Sequence, residues 1–238
     1  MNVNANVSEA GEIMGEVLLF QERKVTAKGL RKSPLCEISL HEDKLRDFFF
    51  TSDYEKLNRL NPIQISLHSK KPILFYPGCG VDVLSPLLFM EKAFPELKQC
   101  IFVFADKEEM LGIIKTVLDE VGVSFKQNFF DRKKKKIFFY WRERLIELQF
   151  IKENVFTFIS QLPEYHIYFE KAFRIFKGED VAYERRVFEK LAPGGVLVSD
   201  SGFQWIPSSD LQRITVPKEL SSYGEMVAGV KKIKEKLF

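Results

Sequence analysis

From Pro72 to Ser199, short apolar runs alternate with stretches whose apolar residues recur every three or four positions. That alternation predicts a mostly parallel sheet with helices on both faces. Ile73 to Tyr76 is the first predicted strand. Ser85-Pro86 reads as an N-cap followed by a proline at the first helical position, opening a helix through Phe94. Ile101 to Ala105 predicts a second strand and Asp106 to Glu120 a second helix. Leu148 to Val155 predicts a further strand, Phe156 to Gln161 a short helix, and Ile167 to Glu170 another strand. Val181 to Leu191 predicts a helix and Val196 to Ser199 a late strand.

Two regions break the rhythm. Around residues 124–148, Asp131-Arg132-Lys133-Lys134-Lys135-Lys136 is flanked by Phe129, Phe130, Phe138, Phe139, Tyr140 and Trp141, which predicts a charged hairpin tip joining two aromatic strands. Upstream, Ile13, Met14, Val17, Leu18 and Phe20 give helical spacing to Ser8–Phe20. A second helix is expected over Glu42 to Leu60, ending before Asn61-Pro62 because the residue before proline is driven out of the helical region. The expected organisation is an N-terminal helical cap over residues 1–70 and a sheet domain over 71–238, closing in a basic helix from Met226 to Leu237.

A 45% hydrophobic content supplies ample core, and 36 basic against 33 acidic residues leave only +3. So small a net charge gives no ground for inferring nucleic-acid or membrane binding. Cys36, Cys79 and Cys100 are few and widely spaced, which suggests neither a disulfide framework nor a cysteine zinc site and fits a reducing cytoplasm. His41, His68 and His166 show no metal-ligand spacing, so no metal is expected. Met1 to Glu16 lacks the basic start and apolar core of a secretory signal. The apolar run from Pro72 to Met90, broken by prolines, glycines and Asp82, is a poor membrane span.

The chemistry centres on Tyr76-Pro77-Gly78-Cys79-Gly80-Val81-Asp82, where the first strand hands over to a loop. Gly78 and Gly80 carry no side chains, so a ligand's amino-acid moiety can lie against the backbone while loop N–H groups meet its carboxylate. Val83 stands where a dinucleotide fold places its third glycine, which argues against an NAD enzyme. No nucleophile elbow and no phosphate-binding Gly-Lys-Ser loop is present.

Over Pro72 to Gly202 the chain resembles the class I S-adenosylmethionine-dependent methyltransferases. The resemblance is carried by Gly78-Cys79-Gly80, by Asp106 after the second strand, by Phe150 to Phe156, and by Lys190-Leu191-Ala192-Pro193-Gly194-Gly195-Val196-Leu197-Val198-Ser199-Asp200. It implies a Rossmann-like methyltransferase fold, S-adenosylmethionine as cofactor, and methyl transfer to a small-molecule oxygen, nitrogen or sulfur nucleophile. Gly78, Cys79 and Gly80 would then border the methionine portion, and Asp106 would accept from the two ribose hydroxyls. Asn154 stands where the family carries an aspartate for the adenine amino group. Tyr76 and Pro77 replace a common acidic residue, so Tyr76 or Asp82 would supply the missing polar contact.

Bland alternatives stand beside each role. Asp106 with Glu109 also reads as a helix cap, Asn154 as a polar residue closing a strand, and Asp82 as a solvent-facing loop residue. Glu170 and Lys171, at a strand's carboxyl end, either position or deprotonate the acceptor or are rim charges. Lys133, Lys134, Lys135 and Lys136 could grip RNA, but a solvated tip is preferred. Competing functions are a non-catalytic interaction module on the same fold, an aminopropyl-type transferase, and an RNA-modifying enzyme.

Overall fold

The computed structural model describes residues 40–49, 54–55, 58, 62, 67–128, 134–207, 210–214 and 227–232. The helix expected over Ser8–Phe20 lies outside the described residues. In chain order the elements are α1 (Glu42–Arg46), β1 (Ile73–Pro77), α2 (Leu84–Ala93), β2 (Gln99–Asp106), α3 (Leu111–Glu120), β3 (Phe125–Asn128), β4 (Lys134–Trp141), β5 (Arg144–Lys152), α4 (Val155–Gln161), β6 (Tyr165–Glu170), α5 (Arg174–Lys177), α6 (Tyr183–Lys190), β7 (Leu191–Ser199), β8 (Leu211–Ile214) and β9 (Val227–Lys231).

The described strands form one nine-stranded sheet in the order β3-β4-β5-β2-β1-β6-β7-β9-β8. The central five, β5-β2-β1-β6-β7, are parallel. Antiparallel pairs flank them on both sides. Successive side chains on these strands point to opposite faces and both faces are buried, as parallel strands between helical layers require. Leu74, Tyr76, Phe102, Phe104, Ile167, Phe169, Val196 and Val198 pack with Leu87, Leu88, Leu111 and Ile114 of α2 and α3. Phe75, Val103, Ala105, Tyr168 and Leu197 pack with Val155, Phe158, Tyr183 and Val187 of α4 and α6. Each fully buried phenylalanine among them contributes roughly 1.5–3 kcal/mol.

Because α2 and α3 lie on one face and α4 and α6 on the other, the winding direction reverses between β1 and β6. In open α/β sheets the crevice beyond the carboxyl ends of such a strand pair is where ligands bind.

Several expectations need correction. The α1 helix stops at Arg46, where Phe48 and Phe49 turn into the core, so the helix expected to run unbroken to Leu60 is interrupted. Beyond Phe49 the described residues of that span, Tyr54, Glu55 and Asn58, are helical again. Residues 134–136 lie within β4, not at a hairpin tip. Lys135 Nζ sits 2.7 Å from Glu109, and Lys136 Nζ 3.1 Å from Glu147. Lys133 lies outside the described residues. Pro193-Gly194-Gly195 is absorbed into β7, where the register against β6 slips between Tyr165 and Ile167. The basic helix expected from Met226 is instead the strand β9, wedged between β7 and β8. Gly229 backs closely onto Leu211, and Lys231 Nζ donates to the carbonyls of Phe188 and Leu191. Pairing with an open sheet edge thus overrides the helical spacing of the lysines. No described helix is long and apolar enough to cross a membrane.

Candidate functional site

Three neighbouring loops meet at the carboxyl edge of β1, β2 and β5. Pro77 pairs with Ala105 and Asp106 with Lys152, so the strand ends are level. The Gly78 N–H donates to the Ala105 carbonyl at 2.8 Å, and the Glu153 N–H to the Asp106 carbonyl at 2.9 Å. The half-buried Asp106 carboxylate accepts from the Gly80 N–H at 2.9 Å through Oδ2, and from the Glu108 N–H at 3.0 Å through Oδ1. Its capping alternative fails, because α3 starts only at Leu111 with Met110 at the cap position. Asp106 instead stitches the glycine loop to the end of β2.

Asn154 adjoins it on the next loop and is exposed. Its Oδ1 accepts from the Phe156 N–H at 2.9 Å, capping α4. The structure therefore brings Gly80, Asp106 and Asn154 to one rim.

The two glycines are not equivalent. Both have left-handed backbones, with φ 55° at Gly78 and 51° at Gly80. A Cβ on Gly80 would meet nothing within 4 Å, whereas one on Gly78 would lie 2.7 Å from Cδ2 of the Phe173 ring. Gly78 is glycine because Phe173 covers it as well as for its turn. The loop amides expected to receive a ligand carboxylate are engaged inside the protein, Gly78 with Ala105 and Gly80 with Asp106.

The remaining candidates are enclosed. The Tyr76 ring packs edge-on between Phe104 and Phe169, and its hydroxyl donates to Asp82 Oδ2 at 3.2 Å. Burial pushes this phenol well above its ordinary range, with the Asp82 charge adding to the effect. Asp82 is buried rather than solvent-facing. Its Oδ1 accepts from the Ser85 N–H at 2.9 Å in the first turn of α2, whose cap position is Val83 rather than the expected Ser85. Cys79 is buried and its thiol is likewise pushed up by burial. Lys171 Nζ lies 3.3 Å from Ser85 Oγ and 3.8 Å from Asp82.

Glu170 belongs to a second buried network on the opposite face. Its Oε1 is met by Lys177 Nζ at 2.5 Å, by Ser199 Oγ, and by Ser201 Oγ at 3.3 Å. Its Oε2 accepts from the Tyr168 hydroxyl at 2.6 Å. Lys177 also donates to the Gly202 carbonyl, lies 3.5 Å from Glu184, and sits 4.6 Å over the Phe203 ring. Glu184 Oε2 in turn accepts from the N–H groups of Gln204 and Trp205. The expectation that Glu170 and Lys171 are rim charges is thus corrected. Both side chains are almost fully buried, Glu170 at 0% and Lys171 at 1% exposure.

Sequence reasoning singled out neither Phe173 nor Asp200. Asp200 closes an apolar strand as Asp106 does, which was a readable signal. Its Oδ2 accepts from the Ala172 N–H at 2.9 Å. Burial raises this carboxyl to about 6, opposed by that backbone hydrogen bond.

A cavity of about 130 Å³ opens at the opposite, amino edge of the sheet, bordered by His68, Glu164, His166 and residues 192–195. There His166 Nδ1 accepts from the Ile73 N–H at 3.2 Å.

No family model matches the chain, and no curated protein is similar to it in sequence. Among solved structures, a putative class I S-adenosylmethionine-dependent methyltransferase from Listeria monocytogenes is 10% identical, with a TM-score of 0.39, over 76% of this chain and 58% of that one. A methyltransferase from Geobacter sulfurreducens in complex with S-adenosyl-L-homocysteine is 13% identical, with a TM-score of 0.36, over 68% of this chain and 51% of that one. A hypothetical protein from a Thermus species is 12% identical, with a TM-score of 0.36, over 91% and 100%. The matches thus span little more than half of the methyltransferase chains. What the molecule itself displays is a mostly parallel α/β sheet whose winding reverses between β1 and β6.

Proposed function

We propose that the protein binds an adenosine-containing ligand, S-adenosylmethionine, at the rim shared by Gly80, Asp106 and Asn154, and serves as a methyltransferase toward a small-molecule nucleophile. The observation that carries this reading is the Asp106 carboxylate. It is fixed at the end of β2 beside the β1–β6 reversal by the Gly80 and Glu108 amides. Each of its oxygens keeps a further lone pair for a ribose hydroxyl. The open face of Gly80 leaves room beside it. Methyl transfer depends chiefly on in-line approach of the nucleophile, so positioning can supply most of the rate without a general base. That suits a site for which the two catalytic candidates of the sequence, Glu170 and Lys171, are enclosed.

The fit is uneven. The nucleoside half of the ligand matches the rim, but the amino-acid half does not fit while Phe173 lies on Gly78.

A non-catalytic interaction module is the second reading, favoured by that same covered glycine. Calorimetry with S-adenosylmethionine and S-adenosylhomocysteine separates the two. Heat that disappears in Asp106→Ala supports the first, and no heat at millimolar ligand leaves the second.

A further inference from the structure

The two glycines of the loop present opposite environments, and one side chain makes the difference. Phe173 is 4% exposed, and its ring is held in an aromatic nest with Phe156, Phe176 and Tyr183 at centroid distances of 6.0, 5.7 and 5.6 Å. Its Cδ2 and Cε2 atoms lie 2.7 and 2.8 Å from where a Gly78 Cβ would be, so the ring edge touches the face of the loop at which a side-chain-free bend would receive a ligand.

The segment that delivers the ring is strained. Ala172 adopts φ 58°, a left-handed conformation that costs a non-glycine residue about 1 kcal/mol or more. What holds it is the Ala172 N–H bonded to Asp200 Oδ2 on one side, and the Phe173 carbonyl accepting from the Lys177 N–H of α5 on the other. Lys177 is itself locked by Glu170 and Gly202. Phe156 and Phe176 are only half-buried, which leaves apolar surface beside the nest on which a displaced ring can rest.

We propose that Phe173 gates the amino-acid half of the ligand site. With the ring on Gly78 the crevice seats only the nucleoside half of a sulfonium nucleoside, and the full ligand binds only when the Ala172–Phe173 strap releases. The inference rests on the reading of the Gly80–Asp106 rim as a nucleoside site. It explains why a loop with the shape of a donor site is covered over one glycine and open over the other.

The test compares two probes that share the thio-nucleoside and differ in the tail, S-adenosylhomocysteine and 5′-methylthioadenosine. They are titrated calorimetrically into the full chain and into F173L and F173A. Leucine keeps apolar contact with Phe156 and Tyr183 while removing the ring edge, and thermal midpoints confirm that each variant is folded. The wild type should bind 5′-methylthioadenosine about tenfold or more tighter than S-adenosylhomocysteine. F173L should recover about tenfold or more in S-adenosylhomocysteine affinity while 5′-methylthioadenosine stays within about twofold. A wild type that binds both probes equally overturns the gate whatever the variants do. An unchanged ratio in F173L and F173A, with 5′-methylthioadenosine still bound, overturns the gate and leaves the nucleoside site standing. Failure of all three proteins to bind either probe at millimolar concentration removes the nucleoside site, and the gate with it.

Discussion

Lys177 Nζ lies 2.5 Å from Glu170 Oε1, and both side chains are withdrawn from solvent at the carboxyl ends of β6 and β7. The pair fastens α5 to the sheet and joins the Gly202–Trp205 turn through Glu184. A buried carboxylate that loses its cation keeps the desolvation penalty without the attraction.

Lys177→Met should therefore destabilise the fold by about 3–5 kcal/mol. Adding Glu170→Gln should return part of that loss, because the two residues act as a unit. A double-mutant cycle from urea unfolding midpoints measures the coupling, and strict additivity would contradict the assignment.

Asp200 gives the fold a pH dependence of its own. Its carboxyl is raised from 3.8 to about 6, chiefly by burial, with Glu170 pushing the same way and the Ala172 N–H, Lys171 and Lys177 opposing. Between those values the folded state keeps a proton that the unfolded chain releases, so this contribution to stability falls as pH rises through the window and stays low above it. Asp200→Asn, which retains an acceptor for the Ala172 N–H, should stabilise the protein at pH 7.5 by about 1–3 kcal/mol and do little at pH 4. Urea midpoints of the two proteins across that range check it.

The two loop glycines should respond differently to alanine. Gly80→Ala meets only the backbone cost of a left-handed residue, about 1–2 kcal/mol. Gly78→Ala adds the collision with Phe173 and should cost visibly more. Phe173→Leu in the Gly78→Ala background should recover some of the difference. Thermal midpoints of the four proteins decide it.

Asp106→Ala removes the acceptor of two loop amides and should cost about 1–2 kcal/mol of stability. Its affinity for 5′-methylthioadenosine should fall about tenfold or more, with Asp106→Asn in between. Calorimetry beside thermal melting separates loss of ligand contact from loss of fold.

Much of this architecture is legible in the chain. The apolar runs ending in Tyr76, Ala105 and Glu170 mark strands because parallel strands buried on both faces leave few polar interruptions. Asp106 stands out as the first polar residue after such a run. Phe173 does not, since nothing along the chain separates a phenylalanine resting on a glycine from one in the general core. Glu170, Lys177 and Glu184 read as surface charges until folding brings them against one another, because pairing across elements leaves no periodic trace. The strand β9 is hidden for a related reason. The spacing of Val227, Val230, Lys231 and Lys232 suits a helix, and only the unpaired edge of β7 makes extension the better choice.

The register that sets Leu74 beside Ile167 also bears on how the molecule assembles. The innermost strand finds one partner nearby along the chain and the other only after the entire β2–β5 half has been synthesised and folded back. Such distant pairing carries a loop-closure cost before any contact repays it, and it slows folding. Phe173 follows β6, so its contact over Gly78 can form only after that late pairing, whereas the Gly80–Asp106 bond belongs wholly to the earlier half and should appear first on refolding.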